Sequence, residues 1–121
     1  MSEYKVVNPA TNETEREFPT ATDAEVEQIL ERSARAFRSW RTTAKDERAK
    51  VLLRVAELYK ERIDDLAALI TREMGKPTRE AKGEIWLVST IYRYYAEQGP
   101  ALLADTPLSP RAGGQAVIRK E

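Results

Sequence analysis

The sequence predicts an α+β chain that is mainly helical and has short strands near both ends. Three observations predict this fold class. Apolar residues recur at steps of three and four through the middle of the chain, as they do on amphipathic helices. Turn formers separate two short extended stretches before that region, and a connector with Pro and Gly precedes a last apolar stretch after it. The predicted units are an N-terminal β-hairpin (1–20), a helical region (21–98), a connector (99–114) and a C-terminal extended strand (115–121).

The N-terminal hairpin is predicted from two extended stretches, Tyr4 to Val7 and Thr14 to Phe18, that are joined by a run of turn-forming residues. Charged residues dominate the second stretch, which is typical of an edge strand. Only Phe18 of that strand could enter a core.

The first helix is predicted to begin at Thr22, because Thr22 and Glu25 have the spacing of a capping box. Residues at helical spacing after this cap form one largely apolar side, called here the α1 stripe: Val26, Ile29, Leu30, Ser33, Phe37 and Trp40. We expect the α1 stripe to face a core and the helix to end near Trp40 or Arg41.

A second helical segment is predicted from Thr43 to Met74, and the apolar spacing fits one long helix or two abutting helices equally well. Gly75, followed by Lys and Pro, is a stop signal because glycine can adopt the left-handed conformation beyond a helix end. A last helix is predicted from about Thr78 to Gln98. Four apolar residues fall outside its main apolar face, so it offers a second apolar side: Trp86, Leu87, Ile91 and Tyr94.

After Gly99 the sequence predicts little regular structure. Gly113 and Gly114 suit a flexible turn, since a phosphate-binding loop needs spaced glycines between a strand and a helix. Extended chain is predicted from Gln115 onward, and no partner strand for it is predicted in the sequence up to Glu121.

Composition excludes several kinds of chemistry for the chain by itself. The sequence has no cysteine and no histidine, which removes disulfides, thiolate nucleophiles, Ser-His relays and the usual zinc ligands. Twenty basic residues balance twenty acidic ones, so no net field favours nucleic acid. No apolar run suits a membrane span and no signal peptide is recognisable, so we expect a cytoplasmic protein.

Few residues are candidates for chemistry. Glu73, Glu80 and Glu84 lie near the Gly-Lys-Pro turn where a general acid or base could be placed, but solvated helix faces are the favoured interpretation. The tyrosines 92, 94 and 95 are expected to serve helix packing rather than base stacking. Gly83 costs on the order of 1 kcal/mol inside a helix, which indicates close packing or the wall of a ligand channel.

Several short segments of the sequence together resemble motifs of the NAD(P)-dependent aldehyde dehydrogenase family, most closely its succinate-semialdehyde dehydrogenase branch. They are Val7-Asn8-Pro9-Ala10-Thr11 with Glu13, Ala36-Phe37 with Trp40, Glu47-Arg48, Glu73-Met74-Gly75-Lys76-Pro77 and Arg93-Tyr94-Tyr95-Ala96. The resemblance covers nearly the whole chain. Asn12 stands where the family usually has glycine, and Asn tolerates the positive φ required there.

The resemblance implies scaffold rather than catalytic machinery. Family enzymes oxidise aldehydes through a cysteine thiolate and pass a hydride to NAD or NADP. In the family, the cysteine and the dinucleotide-binding strands lie after the segment that this chain resembles. We therefore expect no catalytic and no cofactor-binding residue in this chain. The resemblance implies that Gly83 and Leu87 line the mouth of the substrate tunnel. It also implies that the Val7 carbonyl and the Glu73 carboxylate help to hold a structural monovalent cation found in some members.

Two hypotheses follow for the chain. The first is the amino-terminal portion of an aldehyde dehydrogenase, inactive alone, whose last strand belongs to an oligomerisation arm. The second is a free-standing helical module that binds a protein partner. In either case the expected partners are a second copy of the chain or the remainder of a dehydrogenase subunit.

Overall fold

The computed structural model describes residues 4–111 and 113–120. Met1 to Glu3, Ala112 and Glu121, which belong to the predicted hairpin, connector and last strand, lie outside this description. The elements in chain order are β1 (Tyr4–Val7), β2 (Thr14–Phe18), α1 (Asp23–Trp40), α2 (Lys45–Glu61), α3 (Ile63–Met74), α4 (Thr78–Leu102), β3 (Thr106–Leu108) and β4 (Ala116–Ile118). The chain is thus mainly helical with short strands, as predicted.

The core lies where α4 packs against α2 and α3. Its buried residues are mostly small: Ala56, Ala67, Ala81, Ile85, Ser89 and Ala96. Small side chains let the helix backbones approach closely, and the Ser89 hydroxyl donates a hydrogen bond of 2.7 Å to the Ala56 carbonyl oxygen. The aromatic rings of Tyr59 and Tyr92 add a stacked contact between α2 and α4, with ring centroids 5.8 Å apart.

The segment between Thr43 and Met74 forms two abutting helices, which was one of the two predicted alternatives. The break is at Arg62, whose backbone has φ −109° and ψ 21°. The Arg62 N–H still donates to the Leu58 carbonyl at 3.1 Å, and its own carbonyl accepts from Leu66 at 3.0 Å. The apolar register continues through this break because no residue is inserted, and the sequence pattern alone therefore does not reveal it.

Gly75 ends α3 in the left-handed conformation, with φ 73°, as its position in the sequence predicts. The β1–β2 hairpin rests on this turn: a Cβ on Gly75 would lie 3.1 Å from Cγ of Pro9. An ion pair of 2.8 Å between Glu15 and Arg72 joins the hairpin to α3 as well. The end of α3 therefore positions the hairpin.

The hairpin itself is antiparallel, with a register shift after Val6, and Asn12 adopts the expected positive φ of 58°. The sequence left Phe18 as the one residue of β2 that could enter a core. Phe18 is 41% exposed and does not enter the core. The Arg16 guanidinium instead lies over the Phe18 ring, 4.8 Å from its centroid.

Helix α1 begins as predicted, with both hydrogen bonds of the capping box present between Thr22 and Glu25. The Thr22 amide and hydroxyl donate to the Glu25 carboxylate at 2.8 and 2.9 Å, and these bonds lower the pKa of Glu25 below its ordinary value. The prediction that the α1 stripe faces a core was wrong: no residue of α1 is buried. The described elements that pack extensively on one another do not include α1.

The region after Gly99 is more regular than predicted. Helix α4 continues through Pro100 to Leu102, so only its final turn loses a backbone donor. Strand β3 then pairs antiparallel with β4, with Pro107 opposite Val117. The expected lack of a partner strand was therefore wrong, because the partner precedes β4 in sequence. A hydrogen-bonded ion pair of 2.8 Å joins Asp105, just before β3, to Arg119, just after β4.

Candidate functional site

The side of α4 that faces away from the core is the main candidate surface. We call it the outer α4 face: Gly83, Leu87, Ile91 and Tyr94, which recur at steps of four, four and three. Leu87, Ile91 and Tyr94 are each about half exposed, at 52%, 47% and 53%. The second apolar side that the sequence predicts is therefore present on the folded helix.

Gly83 lies on this outer face, in open space. No atom of the described residues, apart from the helix's own neighbouring backbone, comes within 4 Å of the position that a Cβ would take. The close packing expected for this glycine is therefore not provided by the described part of the chain. Gly83 and Leu87, the two residues assigned by resemblance to a tunnel mouth, are exposed side by side one helical turn apart.

The two residues assigned by resemblance to a cation lie on β1 and α3, and Pro9 and Gly75, which follow these elements, are close together. Val7 is the last residue of β1, and Glu73 is exposed in the final turn of α3. The described residues contain no group of three or more His, Cys, Asp or Glu side chains placed to hold a metal.

The other candidates for chemistry have ordinary environments. Glu84 forms an ion pair with Lys76, and Glu80 is exposed on the first turn of α4, which agrees with solvated helix faces. Of the tyrosines, Tyr92 contributes to helix packing as expected. Tyr94 and Tyr95 are exposed instead and contact each other edge to face, with ring centroids 5.2 Å apart.

A basic cavity of about 680 Å³ lies between the start of α2 and the β3–β4 sheet, and sequence reasoning missed it. Its charged lining includes Lys45, Arg48, Arg119 and Lys120, with Asp105 as the acidic member. Lys120 donates to the Leu102 carbonyl at 2.7 Å. A hydrogen bond from Arg119 lowers the pKa of the Asp105 carboxyl below its ordinary value. Positive charge is thus concentrated here in a chain of zero net charge, which suits contact with a negatively charged group.

The sequence offers neither a thiol nor an imidazole to serve as nucleophile or base. Within residues 4–111 and 113–120, no helix combines the length and the apolar character that crossing a bilayer requires.

The family model for the aldehyde dehydrogenase family matches residues 1–121, so the chain belongs to that family. The chain is 45% identical, over 115 residues, to a succinate-semialdehyde dehydrogenase [NADP(+)] of Deinococcus radiodurans. This match covers 95% of the chain and 24% of that relative. A second relative, the Escherichia coli succinate semialdehyde dehydrogenase [NAD(P)+] Sad, is 39% identical over 84% of the chain and 22% of its own length.

Solved structures give the same result. The succinic semialdehyde dehydrogenase of Streptococcus pyogenes, in complex with NADP+, matches 98% of the chain with a TM-score of 0.90 and 34% identity. The succinate-semialdehyde dehydrogenase of Burkholderia pseudomallei matches 94% with a TM-score of 0.83 and 36% identity. The chain spans 26% and 24% of these two proteins, so it is similar to about a quarter of a dehydrogenase chain.

Proposed function

We propose that this chain is the amino-terminal portion of an NAD(P)-dependent succinate-semialdehyde dehydrogenase-like subunit, and that it is inactive alone. The parent reaction is oxidation of an aldehyde to a carboxylic acid. The observation that carries the proposal is a match along 95% of the chain to a relative about four times its length, named for this reaction with NADP+. The sequence has no cysteine to form the thiohemiacetal that the family reaction needs, so the nucleophile must come from the rest of a subunit.

In this proposal the chain lines part of the substrate tunnel, contributes to a cation site and takes part in a contact between subunits. Gly83 and Leu87 on the outer α4 face line the mouth of the substrate tunnel, where a glycine leaves room and a leucine gives an apolar wall. The Val7 carbonyl and the Glu73 carboxylate take part in a monovalent-cation site that the rest of the subunit completes. Strand β4 belongs to an arm that mediates oligomerisation. The chain binds no cofactor by itself, and the whole protein works in the cytoplasm.

An alternative function is a helical module that binds a protein partner without restoring a reaction. The exposed outer α4 face favours it, because clustered apolar side chains on a small chain mark an interaction surface. Both functions predict association with a dehydrogenase subunit that lacks this segment. Only the first predicts that association restores activity.

Complementation tests the proposal. The Deinococcus radiodurans relative would be produced without the segment that matches this chain, and mixed with the purified 121-residue chain. NADP+ reduction with succinate semialdehyde would be followed by absorbance. We expect no activity from either piece alone and measurable activity from the mixture. The relative's own excised segment is the positive control.

Three outcomes are informative. Activity of the 121-residue chain alone would refute the proposed inactivity. Rescue by the relative's own segment but not by this chain, with no association, would refute the proposed role. Association without activity would favour the binding module.

A further inference from the structure

The carboxyl end of α4 has a negative charge that its own residues do not balance. The last carbonyl groups of a helix have no further turn to donate to them, and the helix dipole adds partial negative charge there. Lysine or arginine in the last turn usually balances that charge. Helix α4 has no basic residue in its last turn, and its C-cap is Leu103, with φ −97° and ψ 7°. Cations for this helix end must therefore come from other segments.

Two lysines from separate segments supply these cations, and we call them the lysine pair: Lys45 and Lys120. The Lys45 ammonium group donates to the Leu103 carbonyl oxygen, across 58 positions of the sequence. The Lys120 ammonium group donates to the Leu102 carbonyl oxygen at 2.7 Å, across 18 positions. The lysine pair thus bonds to successive carbonyl groups at one helix end, from the start of α2 and from the residues after β4.

The position of Lys45 in its own helix is unfavourable, which indicates that the contact with α4 is the reason for it. Lys45 is the first residue of α2, and the dipole of that helix disfavours a cation there. The acidic residues that follow it, Asp46 and Glu47, are the kind that suits this end. A residue that breaks a local rule commonly serves a contact made elsewhere in the fold. Here that contact is with the Leu103 carbonyl.

The β3–β4 sheet is joined to the helices mainly by polar contacts. It begins three residues after α4 ends, and the extensive packing between described elements does not include a contact of this sheet with a helix. Leu108, Val117 and Ile118 of the sheet are each about half exposed, at 48%, 52% and 50%. Lys120 therefore connects the end of the sheet to α4, while Lys45 holds the junction between them.

We propose that Lys45 and Lys120 are positioning residues that together set the direction in which the β3–β4 sheet leaves α4. Without them, residues 103–105 can turn the sheet in several directions. An exposed charged contact changes such an equilibrium by roughly two- to fivefold, so each lysine should limit the displaced population by about that factor. In the proposed function β4 belongs to an oligomerisation arm, so the use of this direction rests on that function, whereas the contact itself does not.

A distance measurement on the 121-residue chain tests this proposal. The sequence has no cysteine, so spin labels can be attached at Thr90→Cys on α4 and Ser109→Cys just after β3, both of which are exposed positions. Pulsed electron paramagnetic resonance then gives the distribution of distances between the labels. We expect one narrow peak with the lysine pair intact. Lys45→Gln or Lys120→Gln should add a broad population, and the variant with both changes should show most of it. Lys45→Arg should keep the narrow peak, because a guanidinium group still donates.

Lys60→Gln is the matched control, because it removes the same charge from the last turn of α2, where a cation is favoured. It should leave the narrow peak unchanged. The helical circular dichroism signal should be the same in all these variants, since the lysine pair is outside the core.

Three results overturn the proposal. A narrow peak that persists without both lysines would show that the pair does not set the direction. Equal broadening by Lys60→Gln would assign the effect to net charge. Broadening only together with a loss of helical signal would show that the lysine pair holds the helices rather than the sheet. None of these measurements uses complementation, so failure here is distinguishable from failure of the proposed function.

Discussion

Truncating Ile85 to alanine tests whether the inner face of α4 is the side that stabilises the fold. Ile85 is 4% exposed and is the largest of the buried residues in the described chain. The matched control is Leu87→Ala, two residues away on the outer α4 face and 52% exposed. Both substitutions remove three carbon atoms from the same helix, so they differ in burial and little else.

The expected magnitude follows from the carbons removed. Three buried methyl or methylene groups at about 0.8 kcal/mol each give roughly 2.4 kcal/mol of lost transfer free energy. The cavity left behind adds to this, which brings the expected loss of unfolding free energy to about 3 kcal/mol for Ile85→Ala. Leu87→Ala should change it by about 0.5 kcal/mol or less, because a half-exposed side chain gains little from folding.

Urea denaturation followed by far-UV circular dichroism measures both changes. With a slope of about 1–3 kcal/mol per molar urea, Ile85→Ala should lower the midpoint by roughly 1–3 M. The Leu87→Ala midpoint should stay close to that of the unmodified chain. Equal midpoints for the two variants, or a larger loss for Leu87→Ala, would show that α4 does not pack on α2 and α3 through the face described.

Four further predictions concern the cap of α1, the glycines Gly75 and Gly83, and the small C-terminal sheet. Thr22→Ala removes the cap of α1 and should lower its stability by about 1 kcal/mol, measured as faster amide exchange confined to α1. Gly75→Ala should destabilise the chain by about 1–2 kcal/mol in urea, because Gly75 has φ 73° and a Cβ would meet a proline ring carbon at 3.1 Å. Gly83→Ala should instead stabilise the chain by about 0.5–1 kcal/mol, since open space surrounds that helical position. The hydrogen bond from Arg119 lowers the pKa of Asp105 in the folded state. The pair therefore stabilises the sheet above the ordinary carboxyl pKa and stops doing so as pH falls through the lowered value.

Clear outcomes would contradict these expectations. Protection lost equally in α1 and α4 of Thr22→Ala would mean that the cap does not act locally. Identical effects of the two glycine substitutions would contradict the difference in their backbone conformations. For the sheet, backbone amide shifts of β4 in NMR spectra should follow Asp105 titration, and Asp105→Asn should remove that dependence. Shifts of β4 that titrate unchanged in Asp105→Asn would assign the pH response to another group.

Local signals in the sequence predicted helix ends well, because the chemistry that ends a helix is carried by neighbouring residues. Thr22 and Glu25 satisfy each other's polar groups three residues apart, and Gly75 alone can adopt the left-handed turn without strain. The two apolar sides of α4 were also predictable from spacing. The break at Arg62 was not, since two abutting helices keep one register.

Because of its prolines, the region after Gly99 was predicted to have little regular structure, and this underestimated its order. Pro100 is tolerated because it stands in the last turn of α4, where a single missing donor removes only one hydrogen bond. Pro107 is tolerated because a strand of a two-stranded sheet has one edge that needs no donor. The basic cavity could not be predicted either, because Lys45 and Arg48 meet Arg119 and Lys120 only through the fold.

Spacing showed that α1 has an apolar side, but spacing carries no information about what covers it. A helix stripe looks the same in sequence whether its partner is another helix of the chain, a second copy or a further segment of a larger subunit. For α1 the described chain supplies no such partner, which is why the stripe was wrongly expected in the core.

Both tryptophans of the chain lie on helix sides that the described chain leaves uncovered. Trp40 belongs to the α1 stripe and is 46% exposed, and Trp86 lies beside the outer α4 face and is 56% exposed. Neither indole is in the core, so each is partly in contact with water in the folded chain. Unfolding will shift the emission wavelength little, while covering either surface will shift it to the blue. We therefore expect the intrinsic fluorescence of the 121-residue chain to respond more to the covering of these two sides than to unfolding, with one indole on each.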